Sequence, residues 1–120
     1  MKTIAVSASK KSLDCPIGGL FGRTRFFILA DPDTGEWEAL DNLSSLLARQ
    51  QVGVTTAQAI IEKNIKTVVT GKCGAKAFEK LQGAGIQVIL DSKGTVRQAL
   101  ERLIRGEFVP ATGPNVWKSH

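Results

Sequence analysis

Residues 65–90 read IKTVVTGKCGAKAFEKLQGAGIQVIL. Ile65 to Thr70 is a β-branched apolar run, which predicts a strand. Gly74 to Leu81 places Ala77, Phe78 and Leu81 at helical spacing, and Gly83 and Gly85 end that helix. Ile86 to Leu90 predicts a second strand. A strand, a crossover helix and a strand over so few residues imply a right-handed connection and parallel pairing. The pattern continues with Thr95-Val96-Arg97-Gln98, which has the Thr-x-x-Gln capping-box spacing. An apolar stripe of Val96, Leu100, Leu103 and Ile104 follows, and Gly106 closes it.

Upstream, Thr3 to Ala8 alternates as a short strand, and Arg25 to Ala30 is a continuous apolar run expected to form a buried strand. Asp31-Pro32-Asp33-Thr34-Gly35 is a turn, because Pro sets one φ and Gly supplies the positive one. Glu36 to Leu40 then returns as an antiparallel edge strand. Leu43 to Gln51 fits a short helix or an irregular loop. Thr55-Thr56-Ala57-Gln58 repeats the capping-box spacing and predicts a helix with Ala57, Ile60 and Ile61 facing inward, stopped by Asn64. The whole reads as an α/β domain, a mixed five-stranded sheet with helices on its faces. Residues 107–120 contain Pro110, Gly113, Pro114 and Trp117 without periodicity and are expected to be a flexible C-terminal tail.

Composition narrows the function. The chain has 120 residues, a net charge of +5, two cysteines and one histidine, which fits one domain with one core. No apolar stretch approaches the about 20 residues of a membrane helix. The Met1 to Val6 start is too short for a secretory signal. The expectation is a cytoplasmic protein with reduced thiols and no membrane association. No basic run interleaves with aromatics, so a small anion is preferred to nucleic acid as the partner of the positive charge. Two Cys and a terminal His120 do not complete a zinc site.

The chemistry-bearing residues gather in loops. In open α/β sheets, ligands sit beyond the carboxyl ends of the parallel strands. If the strands before them are parallel neighbours, Cys15 and Cys73 both come to that edge. Lys10, Lys11, Arg23, Lys72 and Lys76 flank these loops, and Gly18, Gly19 and Gly22 permit close backbone approach. Helix N-termini at the same edge favour anions. No GxGxxG or GxxxxGK[ST] is present, so a nucleotide site has no motif behind it. Cys73 follows Lys72 and precedes a helix, two features that lower a thiol pKa. Burial as a small apolar residue is the alternative for each thiol. Phe21 either anchors its loop to the core or shapes a site. Arg23 either faces an anion or pairs with Asp14 or Asp31.

Ser7 and Ser9 lack a histidine to activate them. Thr3 to Ala8 and Ile65 to Thr70 carry no carboxylates to hold catalytic metal ions. A non-catalytic protein is expected.

Taken in order, Lys2-Thr3-Ile4-Ala5-Val6-Ser7, Leu13-Asp14-Cys15-Pro16, Phe21-Gly22-Arg23, Asp31-Pro32-Asp33-Thr34-Gly35-Glu36, Gly71-Lys72-Cys73-Gly74-Ala75-Lys76-Ala77-Phe78, Ala84-Gly85-Ile86-Gln87-Val88 and Gly94-Thr95-Val96-Arg97-Gln98-Ala99-Leu100 resemble the dinitrogenase iron–molybdenum cofactor biosynthesis family from Met1 to about Gly106. The resemblance implies a ribonuclease H-like fold with strand order 3-2-1-4-5 and strand 2 antiparallel. It implies binding or carriage of iron–molybdenum cofactor, its precursor or another metal–sulfur cluster, with a donor or acceptor protein as partner and a monomer or weak homodimer as the state.

Many members have a histidine just before Phe-Gly-Arg, where this chain has Leu20. Many have an asparagine after the later glycine, where this chain has Lys72. The thiols are then expected to replace the histidine, since thiolates suit soft metal–sulfide species. The expected site has Cys15 and Cys73 as metal ligands, with Arg23, Lys72, Gly22, Gly74 and Lys10 around the cofactor. A reversible Cys15–Cys73 disulfide is the alternative use of the same thiols, and it requires Cα atoms within about 7 Å.

Overall fold

The computed structural model describes residues 1–48 and 51–116. Its strands are β1 (Ile4–Ala8), β2 (Phe26–Ala30), β3 (Trp37–Asp41), β4 (Thr67–Val69) and β5 (Gln87–Ile89). Its helices are α1 (Leu43–Leu46), α2 (Val52–Ile61), α3 (Ala75–Gly83) and α4 (Val96–Ile104), with a 3-10 turn at Phe21–Arg23. The strands form one sheet in the order β3-β2-β1-β4-β5. β1 pairs with β4, and β4 with β5, in parallel; β2 runs antiparallel to both β1 and β3. Order and direction are those expected, and they are compatible with the ribonuclease H-like description.

Side-chain alternation divides the core between the two faces of the sheet. Ala5, Phe27, Leu29, Val68 and Val88 face one side with Ala57 and Ile60 of α2 and Ala77, Phe78 and Leu81 of α3. Ile4, Val6, Ala8, Ile28, Val69 and Ile89 face the other side with Val96 and Ala99 of α4. β1 is buried along its whole length because it lies mid-sheet and is covered on both faces. The β2–β3 turn closes as the sequence predicts. Asp31 Oδ1 accepts the Asp33 and Thr34 N–H groups at 2.8 and 3.3 Å, and Gly35 has φ +78°.

The two capping-box spacings turn out differently. At α4 both halves form: Gln98 N–H donates to Thr95 Oγ1 at 3.1 Å, and Thr95 N–H donates to Gln98 Oε1 at 2.9 Å. At α2 the helix starts four residues earlier than expected, with Gln51 rather than Thr55 at the N-cap position. Thr55 lies inside it, and its hydroxyl donates back to the Gln51 carbonyl at 3.1 Å, a bond that mid-helix threonines commonly make. Asn64 ends this helix as expected, in the left-handed region at φ +58°. Ile104, expected to face inward, is exposed.

The expected loose tail also needs correction up to Val116. Phe108 packs against the α4-side cluster, and Ala111 N–H donates to the Val88 carbonyl of edge strand β5 at 2.7 Å. Val116 bridges to Gly74. Trp117 and His120 lie outside the described residues. No described helix is long and apolar enough to cross a membrane.

Candidate functional site

The loops after β1 and β4 are joined at the carboxyl edge of the sheet. Lys72 N–H donates to the Gly19 carbonyl and Phe21 N–H to the Lys72 carbonyl, both at 2.8 Å. Ser7 Oγ, fully buried, lies 2.9 Å from the Gly18 carbonyl and 2.8 Å from Thr70 Oγ1, which ties the ends of both strands to the glycine loop. A side chain at Gly71 would put its Cβ 2.8 Å from the Gly19 carbonyl oxygen, so this contact requires glycine. The expectation that the two thiol-bearing loops are neighbours therefore holds.

Their sulfur atoms do not converge. Cys73 is fully buried in the cluster facing α2 and α3, whereas Cys15 is 4% exposed in the cluster facing α4. They belong to the clusters on opposite faces of the sheet, and both are free thiols. Cys15 Sγ is satisfied locally by the Ser12 carbonyl at 3.1 Å. Burial pushes the Cys73 thiol up to about 12, opposite to the expected activation by Lys72 and the helix. The reason is that Lys72 is exposed while the sulfur turns into hydrocarbon, so desolvation of the thiolate dominates. The expected pair of thiolate ligands, and the disulfide built from them, are thus corrected: each cysteine is a small core residue. Among the described residues no three His, Cys, Asp or Glu side chains gather to hold a metal ion.

A different site occupies this edge. A cavity of about 170 Å³ is lined by Leu20, Gly22, Arg23, Gln51 to Val54, Gly74 to Ala77 and Val116. The first helical hydrogen bonds of α2 and α3 are Thr55 N–H to Gln51 and Phe78 N–H to Gly74. The N–H groups of residues 52–54 and 75–77 therefore have no partner within their helices. Neither helix has a side-chain N-cap. All six residues line the cavity, so two positive helix ends meet there. The exposed side chains of Arg23 and Lys76 add two charges. The carboxylates considered as partners of Arg23 are occupied elsewhere: Asp14 takes Arg97 at 2.8 Å, and Asp31 takes the N-terminal ammonium at 2.7 Å. Among the described residues neither Arg23 nor Lys76 has a carboxylate partner.

Glycine makes the convergence possible. A Cβ on Gly22 would stand 2.8 Å from Gly53 Cα, backbone against backbone, and one on Gly53 would stand 3.4 Å from Ala77 Cβ. Gly22→Ala is expected to cost about 1–3 kcal/mol, read as a lower urea midpoint at unchanged slope. A change below about 0.5 kcal/mol would show that the turn shifts freely away from α2.

Of the residues expected at the site, Gly22, Arg23 and Gly74 line the cavity, while Lys72, Lys10, Cys15 and Cys73 do not. Lys72 contributes its backbone to the loop pairing, and the Lys10 carbonyl faces Cys15 on the α4 side. Lys76 was visible among the loop cations but not placed at the site. Val52, Gly53 and Val54 were missed because the Thr55–Gln58 spacing put the helix start too late. Val116 gave no sequence signal.

No curated protein matches the chain. Among solved structures, the apo form of the orange protein from Desulfovibrio gigas is 38% identical, covers 96% of this chain and 97% of its own, and superposes with a TM-score of 0.91. A Thermotoga protein assigned as NifB and to the DUF35 family is 23% identical over 100% of this chain and 98% of its own, at a TM-score of 0.76. A protein from Methanocaldococcus jannaschii assigned as a dinitrogenase is 15% identical over 92% and 95%, at 0.69. The latter two show the fold alone. The family model described as dinitrogenase iron-molybdenum cofactor matches residues 1–106, and the chain belongs to that family.

Proposed function

We propose that this protein binds and carries, without catalysis, an anionic metal–sulfur cluster that brings its own complete sulfide shell. The observation that carries the reading is the cavity where the uncapped N-termini of α2 and α3 meet beside Arg23 and Lys76. Such a site holds negative charge through N–H groups and cations, and among the described residues it offers no cluster of metal ligands. Family membership supports this class of cargo. The cluster is then held as an ion: N–H groups point at terminal sulfides, Arg23 and Lys76 balance their charge, and Leu20, Val52 and Val116 exclude water. Release to an acceptor protein would require no covalent bond to break, which suits a carrier working in the cytoplasm.

The test is titration with tetrathiomolybdate, followed by the shift of its sulfide-to-metal absorption. Arg23→Gln and Lys76→Gln are each expected to weaken binding about tenfold, from the loss of a charge-assisted contact. Affinity should also fall as ionic strength rises. Cys15→Ala combined with Cys73→Ala should bind as the parent does. Loss of binding in a folded double-cysteine variant, or undiminished binding in both charge variants, would overturn the reading.

A further inference from the structure

The tail beyond residue 106 lies outside the family match, yet it reaches the cavity. Beside the Ala111–Val88 bond and the Val116–Gly74 bridge, one tail side chain bonds the loop at the cavity. Asn115 Oδ1 accepts the Cys73 N–H at 2.8 Å, and its Nδ2 donates to the Gly71 carbonyl and to Asp91 Oδ1, both at 3.0 Å. One carboxamide therefore grips both ends of the 71–73 loop and joins it to the turn after β5. Asp91 has φ +57°, a costly conformation for a residue with a Cβ. Its backbone N–H is taken by the Gly71 carbonyl at 2.8 Å, so Asn115 closes a ring of bonds around that turn. The next residue, Val116, bridges to Gly74, the residue before α3, and forms a wall of the cavity.

We infer that Asn115 is a positioning residue for the anion site: it latches the C-terminal segment across the sheet edge, fixing the loop that presents the α3 N-terminus and holding Val116 as the cavity wall. This rests on the anion-site reading. The latch acts through the backbone. The N–H groups of residues 75–77 point where the 71–74 loop aims them, and among the described residues of the tail Asn115 is the side chain that bonds that loop. Asn115 belongs to neither core cluster, so truncating its side chain removes no apolar packing from them.

Asn115→Ala is tested by two readouts. Amide hydrogen exchange reports the latch without any ligand: exchange at Cys73 should quicken at least tenfold, with Val6 and Val68 of the sheet unchanged. Titration with tetrathiomolybdate reports the site: the dissociation constant should rise about tenfold. Val116→Ala, which keeps the carboxamide, should leave Cys73 exchange within twofold and weaken the anion by a smaller factor.

Unchanged Cys73 exchange in Asn115→Ala overturns the latch. Faster exchange with a dissociation constant within twofold of the parent overturns its service to the site. If the parent itself does not bind the anion, the anion-site reading fails and the positioning role falls with it, while the exchange arm still decides whether the tail is latched.

Discussion

Phe21→Ala is expected to remove about 3–5 kcal/mol of stability, the range for deleting a fully buried aromatic ring. Phe21 is fully buried although it sits in a loop, and its ring centroid lies 5.3 Å from that of Phe27 at an angle of 59°. A tilted aromatic pair of this kind contributes beyond its buried area. A domain of this size has on the order of 5–15 kcal/mol in total, so the loss is a large share. Loop and core are coupled here: Phe21 N–H pairs with the Lys72 carbonyl, and the next two residues, Gly22 and Arg23, line the cavity. The variant should therefore show both a lower urea midpoint and weaker anion binding under conditions where it remains folded. Phe21→Leu, which keeps most of the volume, should lose less than about 1.5 kcal/mol. If alanine costs under 1 kcal/mol, the ring is not what seats the loop.

The sheet was legible because its information is periodic. Residues 65–90 alternate strand, helix and strand with glycine punctuation, and the order β3-β2-β1-β4-β5 brings the β1 and β4 loops together. The family resemblance implied that order, and the candidate cavity lies at the edge where those loops meet. Periodicity ends where the strands end, however, and it cannot say to which face a loop side chain turns. Cys15 and Cys73 leave neighbouring strands at the same edge but enter different core clusters. Their small apolar size, the plainer reading of a free cysteine, decided their place over the charge of Lys72 nearby.

The α2 start failed for a related reason. Thr55 and Gln58 have the spacing of a cap, but Val52-Gly53-Val54, which resembles a loop, forms the first turn and contributes three of the cavity's N–H groups. Gly53 is there because α3 and the Phe21–Arg23 turn press against it, a tertiary demand without local signature. The tail has no pattern at all; Phe108, the Ala111 N–H and the carboxamide of Asn115 dock it through contacts with no periodic signature.

Raising the pH should expose the state of Cys73. Its thiol moves from the ordinary 9.0 to about 12 through desolvation. In the unfolded chain it loses its proton above about pH 9, whereas in the folded chain it holds the proton until about pH 12. Between those values the unfolded state binds fewer protons, so stability falls as pH rises, by about 1.4 kcal/mol per unit and on the order of 4 kcal/mol across the window. Below pH 9 the contribution is complete. Lysines titrate in the same range, so the measurable quantity is the difference between the parent and Cys73→Ala. The parent's urea-derived stability should decline more steeply from pH 9 to 11, and the variant should lack that extra slope. Equal slopes would mean that the folded protein tolerates the Cys73 thiolate. A thiolate stable in the fold would return sulfur ligation to consideration at the α3 N-terminus. A thiol held neutral there leaves the helix N–H groups, Arg23 and Lys76 as the groups that meet an anion.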